Sequence, residues 1–467
     1  MTVSGILTSL TAVQNRSCTA DNPGWYHDRA TILMVLVILL FGGNVPATAQ
    51  EPLPSSSEQG ATHMDQIDMA NPRYQPLIAT PEEKPEQMSP FFRDSTFNAE
   101  LRTYFFDQKN FDDSRNEAWA LGGSLAYKSG YLADRFALGA VAYTSQRLYG
   151  PENRDGTQLL QPGQKGYTVL GQLYGEIKIT DQLFAAIGRK EYNTPYINAD
   201  DSRMTPNTFQ GYSLYGKAGA EDDAPAWRYG AGYITKIKEK NSDEFVWMSS
   251  AAGANVNRGV YVAGANFKHN AFSVGAINYY SNDIINIFYT EAKYTLPLTD
   301  RYQLQLSAQY SDQRSTGDNL LTGNNFSTHQ AGVNADLGIG AALLTMAYTN
   351  TANGADMQSP WGGYSGYTSV MIEDFFRAGE SALMLRAEYD FSSIGLEGLS
   401  AYALRVHGSG VNVPAYNENE TDLDLQWVPK NGALKGFSFR TRYARVNQRG
   451  GGDPDINNFR VIVNYAF

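Results

Sequence analysis

One cysteine, Cys18, occurs in 467 residues. It precedes the expected cleavage point of a secretory leader, so the mature chain is expected to carry no thiol, which excludes disulfides and thiolate-held metal. Histidine is nearly as scarce: the five are His27, His63, His269, His329 and His407. None stands at the i,i+4 or H-E-x-x-H spacing of a zinc enzyme. His329 follows Ser327 and Thr328, but a serine hydrolase also needs a third orienting group and an oxyanion site. No G-x-x-x-x-G-K-[ST] loop and no dinucleotide fingerprint occurs. The expectation is therefore a non-enzyme with no cofactor and no metal. Beyond residue 50 no stretch supplies the ~20 apolar residues of a membrane helix, and mean hydropathy is -0.39. The net charge of -11 lacks the basic balance that nucleic acid requires.

What is abundant is glycine and aromatic residues, with 44 Gly, 30 Tyr and 22 Phe, a composition suited to many short strands with aromatic girdles. From residue 97 onward the chain alternates with a period of two, which places successive side chains on opposite faces of a strand. Near the end, Ser438, Arg440 and Arg442 oppose Phe437, Phe439, Thr441 and Tyr443. Asn458, Arg460 and Asn464 oppose Phe459, Val461, Val463, Tyr465 and Phe467. About eighteen such runs start near 97, 117, 134, 165, 181, 208, 226, 258, 271, 283, 301, 326, 341, 381, 398, 420, 434 and 456. In a soluble sandwich the arginines would face bulk water. In a transmembrane barrel the apolar face meets lipid and the arginines line a wet lumen. The run 301–313 favours the second, because Gln303, Gln305, Ser307, Gln309 and Ser311 share one face.

Connections sort by parity. Those at 129–133, 180, 268–270, 296–300 and 338–340 are tight, whereas most on the other parity are longer, up to the stretch 350–379. One rim of turns and one rim of loops is the outer-membrane pattern. The predicted fold is all-β: a transmembrane antiparallel β-barrel of about 18 strands with long extracellular loops and short periplasmic turns. Ahead of it, Ile32 to Phe41 is a ten-residue apolar run followed by Ala47-Thr48-Ala49, a secretory h-region and cleavage site. The expected organisation is a leader with signal peptide at 1–49, a Pro- and Glu-rich disordered tail at 50–90, and a barrel at 91–467. A final strand ending on Phe467 would present the signal read by the barrel-assembly machinery.

Inward parity selects Arg102, Arg386, Arg440, Arg442 and Arg460, with Arg405 added if Tyr402, Leu404 and Val406 face lipid. These come from the first strand and the last five, neighbours once a barrel closes. Such a stripe in a narrow lumen attracts anions and offers paired donors to carboxylates. The plain alternative pairs them with Glu100, Glu388, Asp390, Asp422 and Asp424.

The stretch Arg189-Lys190-Glu191-Tyr192-Asn193-Thr194-Pro195-Tyr196-Ile197-Asn198, continuing through Asp200, Asp201 and Arg203, resembles the inward-folded third loop of the OprD-like porins, the outer-membrane carboxylate channels. Phe91-Phe92-Arg93-Asp94-Ser95, 236–245, 374–380 and the last hairpin resemble that family too, in the same order. The resemblance implies an eighteen-stranded porin of the Gram-negative outer membrane that passes small anionic or zwitterionic solutes by diffusion. The six arginines would form its pore-lining ladder and Arg189, Lys190, Asp200, Asp201 and Arg203 its constriction. Its partners would be outer-membrane lipids and those solutes, as monomer or homotrimer. The alternatives are a barrel hydrolase and a plugged structural or adhesin barrel.

Overall fold

The computed structural model describes residues 88–219, 225–299, 301–411, 416–449 and 455–467. The expected leader at 1–49 and nearly all of the expected tail lie outside the described residues. A short helix α1 (Pro90–Arg93) precedes β1 (Thr96–Lys109), β2 (Arg115–Lys128), β3 (Phe136–Tyr149), β4 (Tyr167–Thr180), β5 (Leu183–Lys190), β6 (Thr208–Ala218) and β7 (Ala226–Lys238). A two-residue strand, β8 (Val246–Trp247), and a single turn of helix, α2 (Met248–Ala251), lie in the next loop. Then come β9 (Val260–His269), β10 (Phe272–Ser281), β11 (Ile285–Pro297), β12 (Tyr302–Ser315), β13 (Ser327–Ile339) and β14 (Ala342–Thr351). The chain finishes with β15 (Ser381–Asp390), β16 (Leu399–Ser409), β17 (Asn417–Trp427), β18 (Phe437–Arg449) and β19 (Asp455–Ala466).

Every long strand begins within three residues of the start expected from its alternation. Each pairs antiparallel with its sequence neighbours, β7 pairs with β9, and β1 pairs with β19, so eighteen strands close into a barrel. Closure leaves no unpaired edge, as a membrane without hydrogen-bonding solvent demands. Among the described residues only β8 stands outside the ring, adding two pairings to the loop end of β7. Two residues are too few for an alternation to reveal it.

The two faces differ as their side chains require. On β12, Ser307, Gln309, Ser311 and Gln313 are buried inward while Leu306 and Tyr310 are exposed outward. Leu125, Phe136, Leu138, Ile187, Tyr212, Val333, Met346, Leu385 and Leu423 continue the outer apolar belt. At the short-turn rim Trp427, Phe437, Phe439, Tyr465 and Phe467 pack in series, with ring centroids 4.5–5.7 Å apart. This is an interfacial girdle. Two of the three two-residue turns, 270–271 and 340–341, reverse the chain through left-handed residues, Asn270 at φ 51° and Gly340 at φ 57°.

Candidate functional site

Three loops turn into the barrel instead of standing away from it. In the third, residues 191–207, all but Asn193, Asp200 and Arg203 are buried. A loop of that length is buried only if the surrounding walls accept its polar groups. Tyr196 shows how they do so. Its ring lies edge-on to Tyr279, Tyr289 and Tyr364, at 5.9, 6.2 and 6.0 Å, and its hydroxyl shares a hydrogen bond with Ser311 at 2.7 Å. Tyr279 in turn donates to Thr194 at 2.9 Å.

The loop 352–380 comes in from the opposite side. Trp361, Tyr364, Ser365 and Thr368 are buried, and Trp361 donates to the carbonyl of Met248 at 2.8 Å. The two loops clasp each other directly: Asn198 Nδ2 donates to the carbonyl of Gly363 and the N–H of Gly363 donates to Asn198 Oδ1, both at 2.9 Å. The tip of the second loop continues to the far wall. Glu420 accepts the N–H groups of Ile372 and Glu373 at 2.8 Å each, and Asp422 accepts that of Met371 at 3.2 Å. Of the stretch 350–379, residues 353, 354 and 356 within the loop are exposed, which narrows what an external protease could reach. The loop between β3 and β4 also leans inward, burying Leu159 and Leu160 against Tyr104 and Phe106.

The expected basic side chains divide into three groups. Arg102, Arg440, Arg442 and Arg460 are inward on adjacent strands β18, β19 and β1, with Arg442 directly across from Arg460. Arg440 and Arg442 both approach Asp424, at 2.9 and 2.8 Å. Arg460 donates to Asn458 at 2.7 Å and to the carbonyl of Met371 at 3.2 Å. Arg386 is also inward, paired with Glu388 and lying 4.0 Å over the ring of Tyr402, whose hydroxyl accepts from Arg442 at 3.2 Å. Tyr402 thus bridges Arg386 to the main cluster.

From the third loop, Asp201 and Arg203 join this wall. Arg102 holds Asp201 through two bonds of 2.9 Å, and also donates to the carbonyl of Arg203 at 2.7 Å. The ring of Phe106 has the guanidinium of Arg203 at 5.1 Å and that of Arg460 at 5.2 Å. Asp200 accepts from Lys240 at 2.5 Å. Phe106, Lys240, Asn198 and Glu420 were not among the residues expected here. Neither loop has a period that would have marked the clasp.

Three residues lie elsewhere. Arg405 faces outward, because Tyr402, Leu404 and Val406 are the buried, inward set on β16. They are apolar yet inward since Phe375 of the inserted loop packs on them. Arg189 has the parity of outward Ile187 and lies 4.3 Å over Phe245. Lys190 is inward but enclosed, with the rings of Tyr174, Tyr192 and Tyr215 at 4.4–5.9 Å. Among the described residues no group of three or more His, Cys, Asp or Glu is arranged to hold a metal ion.

The loop tip also carries two part-buried carboxyls whose titration should couple its docking to pH. Burial, helped by Asp200, pushes Asp374 up to about 6 against a lowering hydrogen bond from Ser369. Burial, then Glu418 and Asp374, raise Glu373, with Arg377 opposing. A carboxyl whose docked pKa is raised favours docking while protonated, so docking weakens as pH climbs from the ordinary carboxylate range through about 6 for Asp374 and about 8 for Glu373. Current noise through the channel should increase over that window, and Glu373→Gln should flatten the increase. A pH-independent trace in the wild-type protein would remove these two groups from the control of the loop.

The family described as outer membrane porin, OprD family, matches residues 89–467. The porin-like protein GalP of Pseudomonas putida is 22% identical over 390 residues, covering 80% of this chain and 92% of that protein. Among solved structures, Pseudomonas aeruginosa OccK9 (OpdG) superposes with a TM-score of 0.71 at 22% identity, over 81% of this chain and 99% of its own. Pseudomonas aeruginosa OpdK, crystallised with vanillate, gives 0.69 at 20% identity with the same coverage.

Proposed function

Since the chain belongs to the OprD family of outer-membrane porins, we propose that it selects small carboxylates and zwitterions, and that the wall of Arg102, Arg440, Arg442 and Arg460 is the path they follow. The observation that carries this reading is the gathering of four guanidinium groups on adjacent inward strands beside both inserted loops. A carboxylate leaving Arg440, Arg442 or Arg460 meets another guanidinium within two strand positions, ~6.7 Å along a strand, and Arg102 follows four positions from Arg460 across the seam. It is then never stranded without a partner in a confined space, where an unpaired charge is costly. Each rung is already engaged by Asp424, Asp201, Asn458 or a carbonyl. That sharing keeps each stop shallow, and shallow, repeated sites let a solute leave as well as enter. The vanillate held by OpdK is itself a small carboxylate, which agrees with this solute class.

Arg440→Gln with Arg442→Gln should lower anion preference in a salt gradient while the barrel still forms. The wild-type preference should also fall with ionic strength, because these charges are screened over ~8 Å at physiological salt. Equal reversal potentials for wild type and double variant would reduce the two arginines to structural partners of Asp424.

A further inference from the structure

The outer wall carries a feature that a uniform apolar belt would not. On β1 the outward Thr103, six positions beyond Phe97, is followed by apolar Phe105, and the first charged residue, Asp107, stands ten positions beyond Phe97; on β19 the outward side stays apolar to Asn457, ten positions from Phe467. On β17 the outward side turns polar at Thr421, six positions from Trp427, and continues through Asn419 and Asn417. On β16 it turns polar at Arg405, six positions from Leu399, which pairs with Trp427. Six residues span ~20 Å along a strand and ~15 Å in height at the usual tilt, against an apolar band ~25 Å tall. Arg405 and His407 therefore occupy a notch on the loop side of the belt, at a depth where hydrocarbon would otherwise lie.

The groups in the notch are donors in search of an acceptor. Arg405 is exposed, and its guanidinium reaches Thr421 Oγ1 at 3.2 Å and Asn419 Oδ1 at 3.5 Å. No carboxylate pairs with it among the described residues. Asn419 Oδ1 lies 2.8 Å from His407 Nδ1, which places the proton of that bond on the imidazole. Asn419 is only 4% exposed, and its Nδ2 donor has no partner among the described residues. An orphaned buried N–H beside an unneutralised guanidinium calls for an anionic oxygen. We propose that this notch binds the phosphate of an outer-leaflet lipid headgroup, drawn down beside Arg405, Asn419 and His407. Arg405 bends towards Asn419, the next outward residue on the loop side of its own partner Thr421, which is the direction from which such a headgroup arrives.

The test uses the full protein in phosphatidylcholine bilayers containing diphosphoryl lipid A or its dephosphorylated form, with bound lipid read by native mass spectrometry. Wild type should retain the phosphorylated lipid over the dephosphorylated one. Arg405→Gln should weaken that retention by roughly tenfold, as expected for losing a charge-assisted pair. Asn419→Ala should weaken it in the same direction, with heat-modifiability on a gel confirming that both variants fold. Equal retention by wild type and both variants would overturn the proposal. So would equal retention of the dephosphorylated lipid, displacement by inorganic phosphate alone, or a change in copy number in Arg405→Gln, which would place a second protein copy in the notch.

Discussion

Glu420→Ala should make the channel noisier and more conductive without preventing the barrel from forming. Glu420 is fully buried and its two carboxylate oxygens accept the N–H groups of Ile372 and Glu373. Removing them leaves two part-buried backbone donors without that acceptor, at ~1 kcal/mol or more each. Since each ~1.4 kcal/mol is a factor of ten, the population with the loop tip released should rise roughly tenfold or more. Asp422 and Arg460 still hold Met371, so the loop should flicker rather than unfold. The strands on either side are joined by backbone bonds that the substitution does not touch. Glu420→Gln keeps one acceptor oxygen and should fall between the two. Single-channel recording decides the matter: a trace as quiet as wild type would show that the tip is held by Met371 alone.

A second large effect is expected at Arg102→Ala. Arg102 fixes the inner end of the third loop through Asp201, whose side chain is 5% exposed. Removing one member of an enclosed ion pair typically costs ~3–5 kcal/mol, because the other charge loses its counterion. The carbonyl of Arg203 loses a donor in the same step. The end of the loop nearest β1 should loosen, while Tyr196 and the Asn198–Gly363 clasp keep its middle in place. Conductance should rise and anion preference fall together. Adding Asp201→Ala removes the uncompensated carboxylate but not the missing tether, so part of the lost stability should return while the trace stays noisy and the preference stays low. A double variant as quiet as wild type would show that the unpaired charge, and not the lost tether, loosens the loop.

The barrel was legible because alternation is a local property. A strand with lipid on one side and polar groups on the other writes its register into every second residue, as β12 and β18 do. Arg102, Arg440, Arg442 and Arg460 could be placed inward on that basis alone. The rule fails where the lumen is not wet. On β16 the inward residues Tyr402, Leu404 and Val406 are apolar because Phe375, nearly thirty residues upstream in an aperiodic loop, covers them. Reading polarity as direction then reverses Arg405. The clasp between Asn198 and Gly363 was hidden for a related reason: it joins two segments with no period, 165 positions apart, so neither carries a mark of the other.

The seam between β1 and β19 bears on how the molecule comes to exist. It joins the two ends of the barrel sequence, and its side chains are stitched as well: Arg102 to Asn464 across 362 positions, and Asn458 to Gln108 across 350. No contact in that seam can form until the last strand has been delivered. Until then the partly built sheet has two open edges, each able to pair with another chain. Long-range pairings of this kind are slow to form and leave the intermediate prone to aggregation. Final closure is thus an all-or-none event late in assembly, and the arginine at its centre is in place only in a molecule that has completed it.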